Sequence, residues 1–132
     1  VLTHRHVRPD DVPHVCAFPQ SVEELFYLFA NFYVREKGGA CAIGNVVVAP
    51  EARGQGVGRY LIETMAAKAL REHAAREVRI SCFNGNVAGL LLYAELGFAP
   101  YAVERRLDPA GARVALIHMR LSEEAAGRLR AP

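Results

Sequence analysis

Val46-Val47-Val48-Ala49-Pro50-Glu51-Ala52-Arg53-Gly54-Gln55-Gly56-Val57-Gly58-Arg59 passes from an apolar triplet through a proline into three glycines at alternate positions. An unbroken apolar triplet suits a strand buried on both faces. Pro50 ends that strand, because proline has no N–H to give a ladder. Beyond the glycines, Val57, Leu61, Met65 and Ala69 recur every four residues with Ile62 alongside, which predicts a helix with one apolar face running to about His73. A strand therefore feeds a glycine-rich turn, and the turn feeds a helix N-terminus. The first N–H groups of a helix lack internal partners, and the helix dipole adds positive potential there. Glycine lets other groups approach the backbone closely. The expected product is a cradle of backbone N–H groups for a phosphate or pyrophosphate, with Arg53 and Arg59 adding charge at its rim.

Two phosphate loops compete for this stretch. A P-loop requires Gly-x4-Gly-Lys-Ser/Thr, and the chain contains no Lys-Ser or Lys-Thr pair. A dinucleotide fingerprint requires Gly-x-Gly-x-x-Gly, and here the third glycine comes one residue early. The glycines alone are equally compatible with a tight strand–helix connection that binds nothing.

Outward from the loop, residues 40–48 read as one strand and 31–34 as its partner, with Lys37-Gly38-Gly39 as the turn. Ser21 and Glu24 form a capping box before an apolar run, which predicts a helix over 21–29. Residues 2–8 read as a first strand, broken by Pro9, with Asp10 or Asp11 as the cap of a following helix. Toward the C-terminus, 78–83 is a strand, Asn84-Gly85-Asn86 a turn, and 88–96 a short helix stopped by Gly97. Residues 101–107 and 113–121 are strands joined by the hairpin turn Asp108-Pro109-Ala110-Gly111, followed by a loose, Ala-rich helical end. Strands that alternate with helices and then close in a hairpin predict a mixed α/β sheet.

The whole chain has 132 residues, which bounds it to a single domain, residues 1–132. With 52% hydrophobic and 23% charged residues, it has the composition of a folded protein rather than a disordered one. A formal charge of +2 gives no electrostatic case for nucleic acid or an anionic membrane. No apolar run is long enough to span a bilayer and no secretory signal opens the chain. Cys16, Cys41 and Cys82 are an odd, unclustered set, so neither a disulfide framework nor a metal site is expected, and reduced thiols in a cytoplasm are. Cys82 has no His, Asn or Asp motif beside it and reads as a buried strand cysteine.

Arg53-x-x-Gly56-x-Gly58 after Val-x-x-Pro resembles the signature loop of the GNAT superfamily of acyl-CoA N-acyltransferases. A second block, Asn86-Val87-Ala88-Gly89-Leu90-Leu91-Leu92-Tyr93-Ala94-Glu95-Leu96-Gly97-Phe98, resembles that family's second motif, in the same order and separation. The resemblance covers roughly residues 40–121. It implies the GNAT fold: a mixed twisted sheet with splayed middle strands, flanking helices and a C-terminal antiparallel hairpin. It implies acetyl-CoA as co-substrate and an amine as acceptor. The pyrophosphate would lie on Gln55, Gly56, Val57 and Gly58, within a loop whose Arg53, Gly54 and Arg59 also belong to the cofactor site. The pantetheine arm would run along Val46, Val47 and Val48, with Gly44 marking a bulge that opens the sheet. The N–H near Val46 would face the oxyanion. Asn86, with Gly89, would contact the CoA chain, Asn86 also being a candidate helix cap. Tyr93 would donate to the leaving thiolate, its other reading being an aromatic packed under the helix.

The base is open. Many family members carry a carboxylate on the strand corresponding to 41–48, and none stands there; Asn45 could position only a water. Glu36, Glu104 and His118 are candidates without a motif, and a lone histidine on a terminal strand is more often structural. Phe26, Tyr27 and Phe29 are candidates for an acceptor pocket or for core. A homodimer stands as a candidate assembly. A catalytically weak CoA-binding sensing module is the alternative to an enzyme, and a nucleotide-binding domain is a third reading. The resemblance also asks for two helices and two strands between the first strand and Ala40, more than this part of the chain holds. The helix over 21–29 would run directly into the strand over 30–34, so a shortened front is expected. A break, or a poorly covered edge, is expected between Phe29 and Ala30, with a Cα–Cα distance above the ~3.8 Å of a trans peptide.

Overall fold

A computed structural model of the protein describes residues 28–35, 38–48 and 56–131. Within them lie five strands, β1 (Leu28–Arg35), β2 (Ala40–Val48), β3 (Glu77–Phe83), β4 (Phe98–Leu107) and β5 (Arg113–Leu121), and three helices, α1 (Val57–Glu72), α2 (Val87–Glu95) and α3 (Glu123–Arg130). The strands form one mixed sheet in the order β1-β2-β3-β5-β4. Only β2 and β3 run parallel; the other pairs are antiparallel. The parallel pair needs a crossover, and α1 supplies it.

Among the described residues, the main core cluster lies on one face of the sheet. Ile43, Ile62 and Ile80 are almost inaccessible, and each contributes about 1.5–3 kcal/mol through burial. The apolar stripe of α1 is Val57, Leu61, Ile62, Ala66, Ala69 and Leu70, with Met65 only partly buried at its margin. Small Ala66 and Ala69 let α3 approach, and α3 buries Ala125 and Ala126 in the same core. Arg71 of α1 donates to the carbonyls of Leu129 (2.8 Å) and Ala131, so a cation sits where the α3 dipole is negative. The C-terminal helix is therefore not loose. Ser122 caps it by accepting from the Ala125 N–H, and Glu123 and Glu124 stand in its first turn.

The strand over 40–48 and the glycine turn before it are as expected, but the front differs. Leu28 and Phe29 belong to β1, paired with Val48 and Val47, so the helix expected over 21–29 does not reach them. A second strand offering ladder hydrogen bonds outweighs the local capping signal there. Residues 21–27, the strand expected over 2–8 and its cap lie outside the described residues. No break separates Phe29 from Ala30: β1 runs through both. A register irregularity does fall there, since Phe29 opposes Val47 but Asn31 opposes Gly44. The extra residue is on β2, a bulge at Asn45–Val46. Two-faced burial is seen at Ala40, Cys41, Ala42 and Ile43, which are all buried, and Val46 is partly buried; the side chains of Val47 and Val48 lie outside the described ones.

The strand expected from Tyr101 begins at Phe98, whose ring enters the core. Gly97 turns the chain between α2 and β4 at φ +101°, and a Cβ there would meet Ala125 Cβ at 2.6 Å. Gly97→Ala is therefore expected to cost roughly 2–5 kcal/mol, the sum of left-handed strain and overpacking. Gly111→Ala, at φ +85° in open space in the β4–β5 turn, should cost only the strain, about 1–2 kcal/mol. Urea unfolding of the two variants measures the difference.

Candidate active site

The parallel ladder between β2 and β3 is short. Ala40, Cys41, Ala42 and Ile43 pair with Glu77, Val78, Arg79 and Ile80, and pairing stops there. Past it β2 stays bonded to β1 as far as Val48, and β3 stays bonded to β5 as far as Phe83. The sheet thus divides between Gly44 of β2 and Ser81 of β3, and the β2 bulge lies at the point of division. Backbone polar groups of 44–48 on the β3 side are left out of the sheet's pairing, which is a strand edge that an extended ligand can complete.

The N-terminus of α1 follows β2 after residues 49–55, so Arg53, Gly54 and Gln55 lie outside the described residues. Gly56 is the N-cap at φ +78°, a conformation costly for any residue with a Cβ. Among the described residues no side chain caps this end, and no acidic residue stands in its first turn. The N–H groups of Val57, Gly58 and Arg59 therefore have no intrahelical acceptor, and nothing in the first turn offsets the positive end of the dipole. A Cβ on Gly56 would touch nothing within 4 Å among the described residues. These features fit a phosphate-bearing ligand. Arg59, expected to add charge at the rim, pairs its guanidinium with Glu95 of α2 at 2.7 Å and Glu63 at 3.7 Å, joining α1 to α2.

Asn86 caps α2, its side-chain oxygen accepting from the Gly89 N–H at 3.0 Å. Gly89 is fixed by the same contact, since a Cβ would lie 2.7 Å from the Asn86 amide nitrogen. Tyr93, on the inner face of α2, is buried against Phe98 with ring centroids 6.2 Å apart, and it neighbours Cys82 of β3. Burial, with the Cys82 thiol as a lesser cause, pushes the Tyr93 phenol up to about 12. Burial also raises the Cys82 thiol, whose sulfur lies 3.5 Å from the Asn86 carbonyl oxygen. A neutral, inward thiol is no nucleophile.

The opposite face of the divided sheet carries a polar chain that no motif announced. Side chains alternate along β3, so Ser81 faces away from the core that holds Ile80 and Cys82. Ser81 pairs in register with His118 of β5, and its Oγ lies 2.7 Å from His118 Nδ1. His118 Nε2 lies 3.0 Å from Glu104 of β4. A hydrogen bond from His118, then the Arg106 guanidinium, hold the Glu104 carboxyl below the usual carboxylate range. Two of the titratable candidates from the sequence therefore meet, whereas Glu36 lies outside the described residues. Ser81 had no sequence signal, because its partner is set by the β3–β5 register.

A mixed sheet divided past a short parallel ladder, with a helix crossing over between the two parallel strands, defines the class, an α/β fold with an open strand edge. The family model described as Acetyltransferase (GNAT) family matches residues 26–98, more than half of the chain. The chain belongs to the GNAT acetyltransferase family. It is similar to the ribosomal-protein-S18-alanine N-acetyltransferase from Escherichia coli, 26% identical with a TM-score of 0.60, over 71% of this chain and 59% of that one. A GNAT family acetyltransferase from Elizabethkingia anophelis, solved with acetyl-CoA bound, is 19% identical with a TM-score of 0.60, covering 72% of this chain and 67% of that one. An IAA acetyltransferase from Bacillus cereus is 20% identical with a TM-score of 0.53, over 62% of this chain and 61% of that one. The chain spans about three fifths of the length of the Bacillus and Escherichia proteins.

Asn86→Ala is expected to destabilise the fold by about 0.5–2 kcal/mol through loss of the α2 cap. Asn86→Asp, which keeps the accepting oxygen, should stay within a few tenths of wild type. Denaturant midpoints at neutral pH check both.

Proposed function

We propose that the protein is an N-acetyltransferase that moves the acetyl group of acetyl-CoA to a primary amine by direct attack of the amine nitrogen. The observation that carries this reading is the end of the β2–β3 ladder at Ile43–Ile80, with the uncapped α1 N-terminus on the same side and Tyr93 beside β3. The N–H groups of Val57 and Gly58, with Arg53, Gly54, Gln55 and Gly56 of the preceding loop, hold the pyrophosphate. The backbone of Val46, Val47 and Val48 pairs with the pantetheine arm, and the Val46 N–H polarises the carbonyl. Asn86, while capping α2 through its oxygen, offers its amide N–H groups to the CoA chain. Acetyl-CoA supplies an activated thioester, and every other role falls to this chain.

The state of Tyr93 narrows its role. A phenol at about 12 is a far weaker acid than a thiol, which titrates near 8.5. Full transfer of its proton to a leaving thiolate is uphill. Tyr93 instead keeps its proton and donates a hydrogen bond to the developing thiolate, which takes its proton from the acetylated nitrogen. The alternative is a CoA-binding module without turnover, favoured by the absence of a carboxylate among residues 41–48.

Free thiol released from acetyl-CoA in the presence of a panel of primary amines separates the two. Release that tracks amine acetylation supports the enzyme. Tight binding of acetyl-CoA with no release from any amine overturns it. Asn86→Asp should weaken acetyl-CoA binding while leaving stability intact, as calorimetric titration would show.

Tyr93→Phe is expected to lower kcat by roughly 10²–10⁴-fold with little change in acetyl-CoA affinity, because the hydroxyl acts on charge that develops in the transition state. With its pKa raised to about 12, Tyr93 stays protonated past the ordinary tyrosine value near 10. Turnover should therefore show no alkaline loss from tyrosine ionisation up to about pH 10. The same shift favours the folded state below the unfolded value, and that contribution is lost as pH climbs through the folded one.

A further inference from the structure

We propose that Ser81, His118 and Glu104 form a proton relay that deprotonates the acceptor amine, with Ser81 Oγ meeting the amine and His118 storing the proton. The inference rests on the acetyltransferase reading above and adds the base that reading lacks.

Position supports it first. Ser81 is the first residue of β3 beyond the last pair with β2, so it stands at the mouth of the opening. It points to the face opposite Cys82 and Tyr93. A hydrogen-bond donor for the leaving sulfur and an acceptor for the incoming nitrogen thus flank one gap from its two sides.

Chemistry fixes the direction of transfer. Glu104 is ionised at neutral pH and can only accept, so His118 Nε2 carries a hydrogen and donates to it. In the neutral ring, Nδ1 is then bare and accepts the Ser81 hydroxyl. The outward lone pairs of Ser81 Oγ are left to accept from an ammonium. When the amine arrives as R–NH3+, an N–H bond breaks and its proton goes to Ser81 Oγ, while the Ser81 hydroxyl proton forms an N–H bond at His118 Nδ1. The positive charge moves from the amine to an imidazolium facing Glu104. The freed lone pair forms the C–N bond and the C–S bond breaks. The second proton of the amine leaves with the thiolate as free thiol, and His118 returns the first to solvent.

The charges around His118 among the described residues are Glu104 and Arg106 on β4, Arg79 on β3 and Arg120 on β5. Arg106 bonds Glu104 at 3.0 Å. Arg79 and Arg120 both lie over the Tyr101 ring, 5.9 and 5.3 Å from its centroid, and that ring is 6.2 Å from the imidazole. Arg79 also binds Glu77 at 2.8 Å, which offsets part of its charge. Glu104 is the carboxylate in contact with the ring.

The test uses the full chain, acetyl-CoA and an amine that the wild-type protein acetylates. His118→Gln and Ser81→Ala should each lower kcat by roughly 10²-fold or more, with acetyl-CoA affinity unchanged by calorimetry. The acidic limb of the kcat profile should disappear in His118→Gln. Glu104→Gln should also lower kcat, since the imidazolium loses its counter-ion. Ser81→Thr, which keeps the hydroxyl, should recover most of the activity. Independently of turnover, ¹⁵N spectra of the ring should show hydrogen on Nε2 in the wild type and a mixed tautomer in Glu104→Gln. Wild-type kcat and an unchanged pH profile in both His118→Gln and Ser81→Ala would overturn the relay and leave the acetyltransferase reading standing. No thiol release by the wild-type protein with any amine would overturn both.

Discussion

Among the described residues, four pairs, Ala40 to Ile43 against Glu77 to Ile80, make up the ladder that joins the two halves of this sheet, with the Arg76 N–H donating to the Gly39 carbonyl just before it. On one side stand β1 and β2, on the other β3, β5 and β4. A junction this short persists because its side chains are dry. Cys41, Ile43, Val78 and Ile80 are almost fully buried, and α1 packs across them with Ile62 and Ala66. The ladder could extend only by closing the gap on which the proposed chemistry depends. The β2 bulge at Asn45–Val46 turns the strand away at that point, so the opening is built into the fold and needs no ligand to create it.

Around that opening the local rules of the chain divide their work between stability and ligand. Gly56 adopts a left-handed conformation in open space, so its conformation serves the turn rather than packing. Gly97 does the reverse, since its missing Cβ makes room for Ala125. Asn86 serves two ends, its oxygen on the α2 cap and its amide nitrogen beside Gly89. Arg59, which stands in the glycine-rich segment, is recruited into the frame by Glu95 and Glu63. Such exposed pairs are each worth at most about 1 kcal/mol, yet this one ties the first turn of α1 to the end of the helix that carries Tyr93.

The two faces of the divided sheet differ in polarity for a physical reason. The inner face is apolar and raises the Tyr93 phenol by desolvation. The outer face is polar and keeps Glu104 ionised through His118 and Arg106. One environment holds a proton and the other removes one. Placing both at the edges of one gap needs only the alternation of side chains along β3, where Cys82 and Ser81 are neighbours in sequence and opposite in direction.

Much of this was legible from residue order. The strand over 40–48, the glycine at the start of α1, the helix between Asn86 and Gly97 with its stop and the final hairpin all rest on local signals: apolar period, caps, positive-φ glycines and turn residues. Tyr93 packs under α2 against Phe98, as its aromatic reading expected. What residue order left open was every feature that depends on register between distant strands. The helix expected to end at Phe29 gave way to β1, because pairing with Val47 and Val48 outweighed a local cap. Arg59 was drawn to Glu95, 36 positions away. His118 and Glu104 were two titratable residues without a motif until antiparallel pairing set β5 between β3 and β4. Local propensity acts over a few residues and can be read one window at a time. Cross-strand contact depends on which segments pair and in what phase, and packing of the whole core selects both.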